Sequence, residues 1–213
     1  MSESPASSLA KMFEMISKAI ENEKDRLSEL DGAIGDGDHG ITMSIGFAAV
    51  HKTLSKLDLG NSSLSEVMST AADAFLDAVG ASSGPLYSTG FRRAAKTLAG
   101  HSQLDVRACA DMIRGISSGI AERGKGQRGD KTMLDVWLPA ADAAANAIEE
   151  DKTGDAFWSA VIASADNGAA ATRSMIATKG RAARLRERSL GHIDPGAASA
   201  TVMIHAMAKA IRL

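Results

Sequence analysis

Residues 9–20 read LAKMFEMISKAI, and the apolar positions Leu9, Met12, Phe13, Ile16 and Ile20 recur at steps of three and four. That period lays one apolar stripe along a helix, predicted over about residues 6–30. The same spacing continues outward and predicts further helices at roughly 40–57, 64–81, 86–98, 104–123, 133–150, 155–178 and 197–212. Pro85 suits a first helical turn, and Asp130 or Thr132 suits the N-cap of the helix bearing Leu134, Val136 and Leu138. Pro139 should kink that helix or mark its true start. No segment sustains the period-two alternation of a strand. Aromatic residues make up 4% of the chain against 45% hydrophobic residues in all, a balance that favours closely packed helices over sheet sandwiches. The expectation is an all-α protein with the whole chain, 1–213, forming one domain.

Composition removes several function classes. A net charge of −2 gives no global basic field for nucleic acid or an anionic membrane. One cysteine, Cys109, excludes an intramolecular disulfide framework and a cysteine-based zinc site, and its alanine-rich surroundings suit helix packing. No run approaches the ~18 apolar residues of a membrane span, and the N-terminus lacks the layout of a signal peptide. A cytoplasmic location is expected.

The connections carry the unusual chemistry. The second, fourth and sixth (LDLGNSS, AGHSQLD, EEDKTG) are short and polar. The first (LDGAIGDGDHG), third (VGASSGP), fifth (ERGKGQRGDKT) and seventh (KGRAARLRERSLGHIDPG) concentrate Gly, Asp, Ser and Arg. In an up-and-down helical arrangement, odd connections share one end. Four rich loops therefore converge on one rim.

Asp31, Asp36 and Asp38 lie within eight residues, interleaved with Gly32, Gly35, Gly37 and Gly40. Carboxylates this close repel unless protonated or neutralised, and an all-oxygen set suits Mg²⁺ or Ca²⁺ rather than zinc. An EF-hand fails, because Ile41 and Phe47 stand where Gly and Glu are needed. Mg²⁺ with few carboxylates points to a nucleotide; a solvated acidic turn capping the next helix fits the spacing equally. Gly35 to Gly40 matches G-x-G-x-x-G but follows no strand, and Gly119 to Lys125 misses the Walker A Ser/Thr at Gly126. Ser82, Ser83 and Gly84 before Pro85 offer hydroxyls and free amides at a helix start, as phosphate cradle or plain cap. His39 and Thr42 have the same two readings. Lys179, Arg181, Arg184, Arg186 and Arg188 face one acid, Glu187; a solvated face is the ordinary outcome and contact with nucleic acid the other reading, though without interleaved aromatics the run is poorly suited to stacking single strands.

In combination, LDGAIGDGDHG, GASSGP, GDKTMLDVW, KGRA and ERSLGHIDPGA, in order across residues 30–197, resemble the L subunits of dihydroxyacetone kinases. The resemblance implies an eight-helix antiparallel up-and-down barrel with ADP or ATP at one rim. It implies two Mg²⁺ on Asp31, Asp36 and Asp38. Nucleotide contacts would fall on His39, Gly40, Ile41, Thr42, Ser82, Ser83, Gly124, Met133, Arg181, Asp194, Pro195 and Gly196. Arg181 would also offset charge developing in transfer, a catalytic role. In the family the ketose is held covalently on a histidine of a separate K subunit or domain, for which this chain has no room. The GDGDHG string is similar to the phosphotransferase-linked branch, in which ADP stays bound and an M subunit rephosphorylates it; the other branch exchanges ATP, and erythrulose kinases share the architecture. One departure stands out: many members of the linked branch have Tyr-Leu-Gly before Glu-Arg-Ser, where this chain has Arg184-Leu185-Arg186. The same aspartates would also serve a metal-dependent phosphohydrolase, or a nucleotide-sensing module docked on a transcription regulator.

Overall fold

Local signals start the helices. In the computed structural model, which describes residues 4–211, the Ser4 hydroxyl accepts the Ser7 N–H at 3.1 Å and Pro5 opens α1 (Pro5–Ile34). There follow α2 (His39–Leu54), α3 (Leu64–Ala78) capped by Ser63, α4 (Ser83–Thr97), and α5 (Val106–Gly124) capped by Asp105. Then come α6 (Leu134–Glu149), α7 (Gly154–Ala171) and α8 (Pro195–Ala210), the last capped by Asp194. Two 3₁₀ segments, Thr172–Ser174 and Ala182–Ser189, interrupt the long final connection. Among the described residues there is no strand.

Each helix packs against its sequence neighbours, and α8 returns to α1, so the eight close into a ring. The stripe that began the reading is inside: Leu9, Met12, Phe13, Ile16 and Ile20 are all buried. Phe13, Phe47, Phe75, Tyr87 and Phe91 meet from α1 to α4, with Phe47 and Phe75 at a ring separation of 5.1 Å. The other half of the ring buries Trp137, Phe157 and Trp158 among many alanines. A Cβ on Gly119 of α5 would stand 2.6 Å from the Thr89 carbonyl oxygen of α4, so glycine there sets the interhelical approach.

Several boundaries differ from the expected ones: α2 and α3 end three residues early, at Leu54 and Ala78, and α4 starts three residues early, at Ser83. α1 runs through Ile34, which lifts Asp31 into its last turn instead of leaving it in the loop. α7 ends at Ala171 rather than near 178, because Thr172 turns inward, donating to the Ala169 carbonyl and accepting the Asp194 N–H. α8 starts at Pro195, and the far end of its predicted span, residue 212, lies outside the described residues. Pro139 sits inside α6 without ending it. Its missing N–H frees the Asp135 carbonyl, and Gly168 of α7 packs there, a Cβ on it falling 2.1 Å from that oxygen. The α6 cap is also not the simple one expected. Thr132 Oγ1 accepts the Leu134 N–H, while Asp130 caps a separate turn at Gln127.

Candidate functional site

One cavity of about 510 Å³ opens at the end of the ring where the odd connections meet. It is lined by Asp31, Asp36, Asp38, His39 and Thr42 from the first, and by Ala81 to Ser83 and Pro85 from the third. The fifth contributes Gly124, Gly126 and Lys131 to Met133; the seventh contributes Lys179 to Ala182 and Asp194 to Gly196.

The acidic group is organised by backbone. Asp31 Oδ2 accepts the N–H groups of Asp38 (3.0 Å) and His39 (3.2 Å), which folds the Gly35–Gly37 turn back over the end of α1. One carboxylate oxygen from each of Asp31, Asp36 and Asp38 falls within 4.8 Å of the others. Asp31 is buried while the other two are exposed, so the cluster has a fixed base and two solvent-facing arms. Arg181, at the start of the second 3₁₀ segment, forms an ion pair with Asp36 and so bridges the seventh connection to the first.

At α4 the Ser83 hydroxyl is 4% exposed and has no hydrogen-bond partner. A buried, unpaired hydroxyl at a helix start is costly unless an acceptor arrives, and the first-turn amides beside it also lack intrahelical acceptors. Together with three hard oxygen donors opposite, these residues fit a metal-bound polyphosphate.

His39 plays a different part from the one its place in the loop suggests. Its Nε2 lies 2.9 Å from Ser199 Oγ, and that hydroxyl donates to the Gly196 carbonyl, so the ring N–H is the donor. Burial holds the imidazole pKa below its ordinary value, with the Asp31 charge opposing. The side chain thus ties the start of α2 to α8. Gly40 and Ile41 do not line the cavity. Gly40 seats α2 on α1, where a Cβ would meet the Lys24 carbonyl at 1.9 Å, and the Ile41 side chain is 51% exposed. Their first-turn amides have no acceptor within the helix.

Asp194 is buried at the N-cap of α8, accepting the Ala197 N–H at 2.7 Å. Desolvation pushes its carboxyl up to about 7, against the pull of that N–H and of the Lys131 charge. Lys131 itself, absent from the expected site residues, is 1% exposed and its backbone is left-handed at φ 59°. Asp135 accepts the Gly129 and Thr132 N–H groups, and Asp130 accepts the Thr178 hydroxyl at 2.6 Å. The sequence offered Asp130 and Thr132 only as caps for the next helix, and an isolated loop lysine gives no sign of burial. Lys179, Arg184, Arg186 and Arg188 are exposed, as a solvated face requires. Arg186 adopts φ 52°, ψ −124°, a conformation suited to glycine, at the position where the resembling sequences have one.

Residues 33–209 match the DAK2 domain model. The chain is 39% identical over 188 residues to the PEP-dependent dihydroxyacetone kinase 1 ADP-binding subunit DhaL of Listeria innocua, covering 88% of each chain. It is 36% identical over 190 residues to the ADP-binding subunit DhaL of the Escherichia coli PEP-dependent enzyme, covering 89% of this chain and 90% of that one. A crystal structure of dihydroxyacetone kinase from C. freundii in complex with AMP-PNP and Mg²⁺ shares the fold, with a TM-score of 0.72 at 24% identity. That alignment covers 95% of this chain and 34% of the larger one. Among the described residues no helix is long and apolar enough to cross a membrane. With a family match across most of its length and relatives of nearly equal extent, the chain belongs to the DAK2 domain family and is akin to the ADP-binding L subunits of dihydroxyacetone kinases.

Proposed function

We propose that this chain is the nucleotide-binding, phosphoryl-donating subunit of a cytoplasmic ketose kinase, acting as a single domain on dihydroxyacetone or a related ketose such as erythrulose. The carrying observation is the convergence of the four odd connections on one cavity that opposes three carboxylates to an unpaired buried Ser83 hydroxyl. Asp31, Asp36 and Asp38 would hold two Mg²⁺. Bound there, the ions neutralise polyphosphate charge. Ser82, Ser83 and the first-turn amides of α4 orient the phosphates, while the first-turn amides of Gly40 and Ile41 and the side chain of Thr42 bound the other side. Gly124, Met133, Pro195 and Gly196 enclose the rest of the nucleotide beside Asp194. Arg181 is poised between Asp36 and the open cavity, where its fixed charge offsets that developing on the transferred group. No side chain of this rim is required as a base towards the sugar. The ketose hydroxyl is supplied by a K-type partner subunit.

The names of the Listeria innocua and Escherichia coli relatives specify PEP-dependent kinases with an ADP-binding subunit, which favours retained ADP and rephosphorylation by an M-type partner. Phosphoryl transfer from phosphoenolpyruvate to dihydroxyacetone or erythrulose, measured with the chain alone and then with K- and M-type proteins and the general phosphotransferase components, tests the reading. Turnover is expected only in the complete mixture. Ketose phosphorylation by the isolated chain, or phosphate release from ATP at the same rate with and without partners, would overturn it. Native mass spectrometry is expected to find ADP on the purified protein.

A further inference from the structure

The seventh connection leaves the helical ring at Thr172 and returns at Asp194, and Lys131 of the fifth connection sits across its neck. The Lys131 Nζ donates to the carbonyl oxygens of Thr172, at 2.6 Å, and of His192. One ammonium therefore holds both ends of the excursion 173–193. The neck has two further ties: the Asp194 N–H donates to Thr172 Oγ1 at 3.0 Å, and the Gly191 N–H donates to the Arg173 carbonyl at 2.8 Å. On the same side Asp130, next to Lys131, receives both the N–H and the hydroxyl of Thr178. Burial lowers the pKa of the ammonium, and the charges of Asp194 and Asp135 oppose that in part. A lysine buried to this degree is rare unless its charge and its donors are used. Its donors here go to main-chain carbonyls, whose positions they fix.

What the clasp holds in place is the site. Arg181 lies within the excursion and Asp194 to Gly196 begin where it ends, and both groups line the cavity. We propose that Lys131 is a positioning residue for nucleotide binding: by closing the neck of the seventh connection it sets the register between Arg181 and the start of α8. The proposal rests on the nucleotide reading of this cavity. The left-handed backbone at Lys131 agrees, since a strained residue persists where its side chain must point inward at a fixed place.

Two substitutions isolate the clasp. Lys131→Met keeps the length and loses both carbonyl bonds; Thr172→Val keeps the shape and loses the tie to Asp194 from the other side. Hydrogen exchange of the nucleotide-free proteins, followed by mass spectrometry, is expected to show peptides from 173–193 exchanging about tenfold faster in both variants, with α1, α3 and α5 unchanged. Binding of ADP with Mg²⁺, by titration calorimetry, is expected to weaken by about tenfold or more in each. A purely structural lysine would speed exchange throughout the chain. A lysine that contacts phosphate directly would weaken binding with exchange of 173–193 unaltered, and Thr172→Val would then bind normally. Either result, or no change in exchange, overturns the proposal. Should Lys131→Met fail to fold, Lys131→Gln, which keeps a polar donor but is too short to reach both carbonyls, is read in its place against the same two outcomes. Exchange in the nucleotide-free protein is read independently of whether ADP is the ligand, so altered exchange without any ADP binding would fault the nucleotide reading and leave the clasp standing.

Discussion

Asp36→Ala separates a metal–nucleotide site from a decorative acidic turn. Ligand oxygens of Asp31, Asp36 and Asp38 fall within 4.8 Å of one another. At that distance each pair repels by ~0.9 kcal/mol at a dielectric of 80 and ~3.5 kcal/mol at 20. Asp36 and Asp38 face solvent, so the lower figure is nearer their case. Removing Asp36 relieves two such pairs but leaves Arg181 without its acid, an exposed ion pair contributing about 0–1 kcal/mol. The relief outweighs the lost ion pair, and nucleotide-free Asp36→Ala is expected to be about 1–2 kcal/mol more stable than the parent. The ligand-linked effect is larger. Binding at a hundredfold excess over Kd adds about 2.7 kcal/mol, or ~5–11 °C in melting temperature for a chain of this size. Thermal melts of both proteins, each with EDTA and with Mg²⁺ and ADP, are the assay. The parent should gain those degrees only with Mg²⁺ and ADP, and Asp36→Ala should lose most of the gain. A parent melt unmoved by Mg²⁺ and ADP, or an equal gain in both proteins, refutes the reasoning.

Arg181→Ala should weaken Mg–ADP binding by about 1.5–3 kcal/mol in titration calorimetry, whereas Arg184→Ala and Arg186→Ala should leave it unchanged, since only Arg181 reaches the acidic cluster. Arg186→Gly should stabilise the protein by ~1 kcal/mol in urea unfolding, because glycine adopts its φ 52°, ψ −124° without strain. Asp194 has its folded pKa raised to about 7, so the neutral form favours folding and its contribution is full below the unfolded carboxyl value and lost as pH rises through 7. In urea unfolding of the nucleotide-free proteins, the stability of the parent relative to Asp194→Asn, which keeps an N-cap, should show that decline between about pH 4 and 7. Gly168→Ala should cost about 1–3 kcal/mol or more by the same measurement, as its Cβ would press on the Asp135 carbonyl of α6.

Local and periodic features carried the fold. The stripe from Leu9 to Ile20 and its repeats specify helices because burial of one face follows directly from side-chain spacing. The alternation of rich and plain connections placed the four rich loops around one cavity, because short loops force neighbouring helices to run in opposite directions. The Asp31, Asp36 and Asp38 cluster was legible for the same reason: its members are seven residues apart at most, and glycine lets so short a segment fold on itself. Tertiary structure decided what depends on distant partners. It turned His39 towards Ser199, 160 residues away, and Gly40 towards the Lys24 carbonyl rather than the cavity. It joined Arg181 to Asp36, and it buried Lys131 across Thr172 and His192, where only three-dimensional closure supplies the acceptors. A residue's period along the chain determines which face it occupies, but a hydrogen bond or ion pair between remote loops exists only once the ring of helices has brought them together.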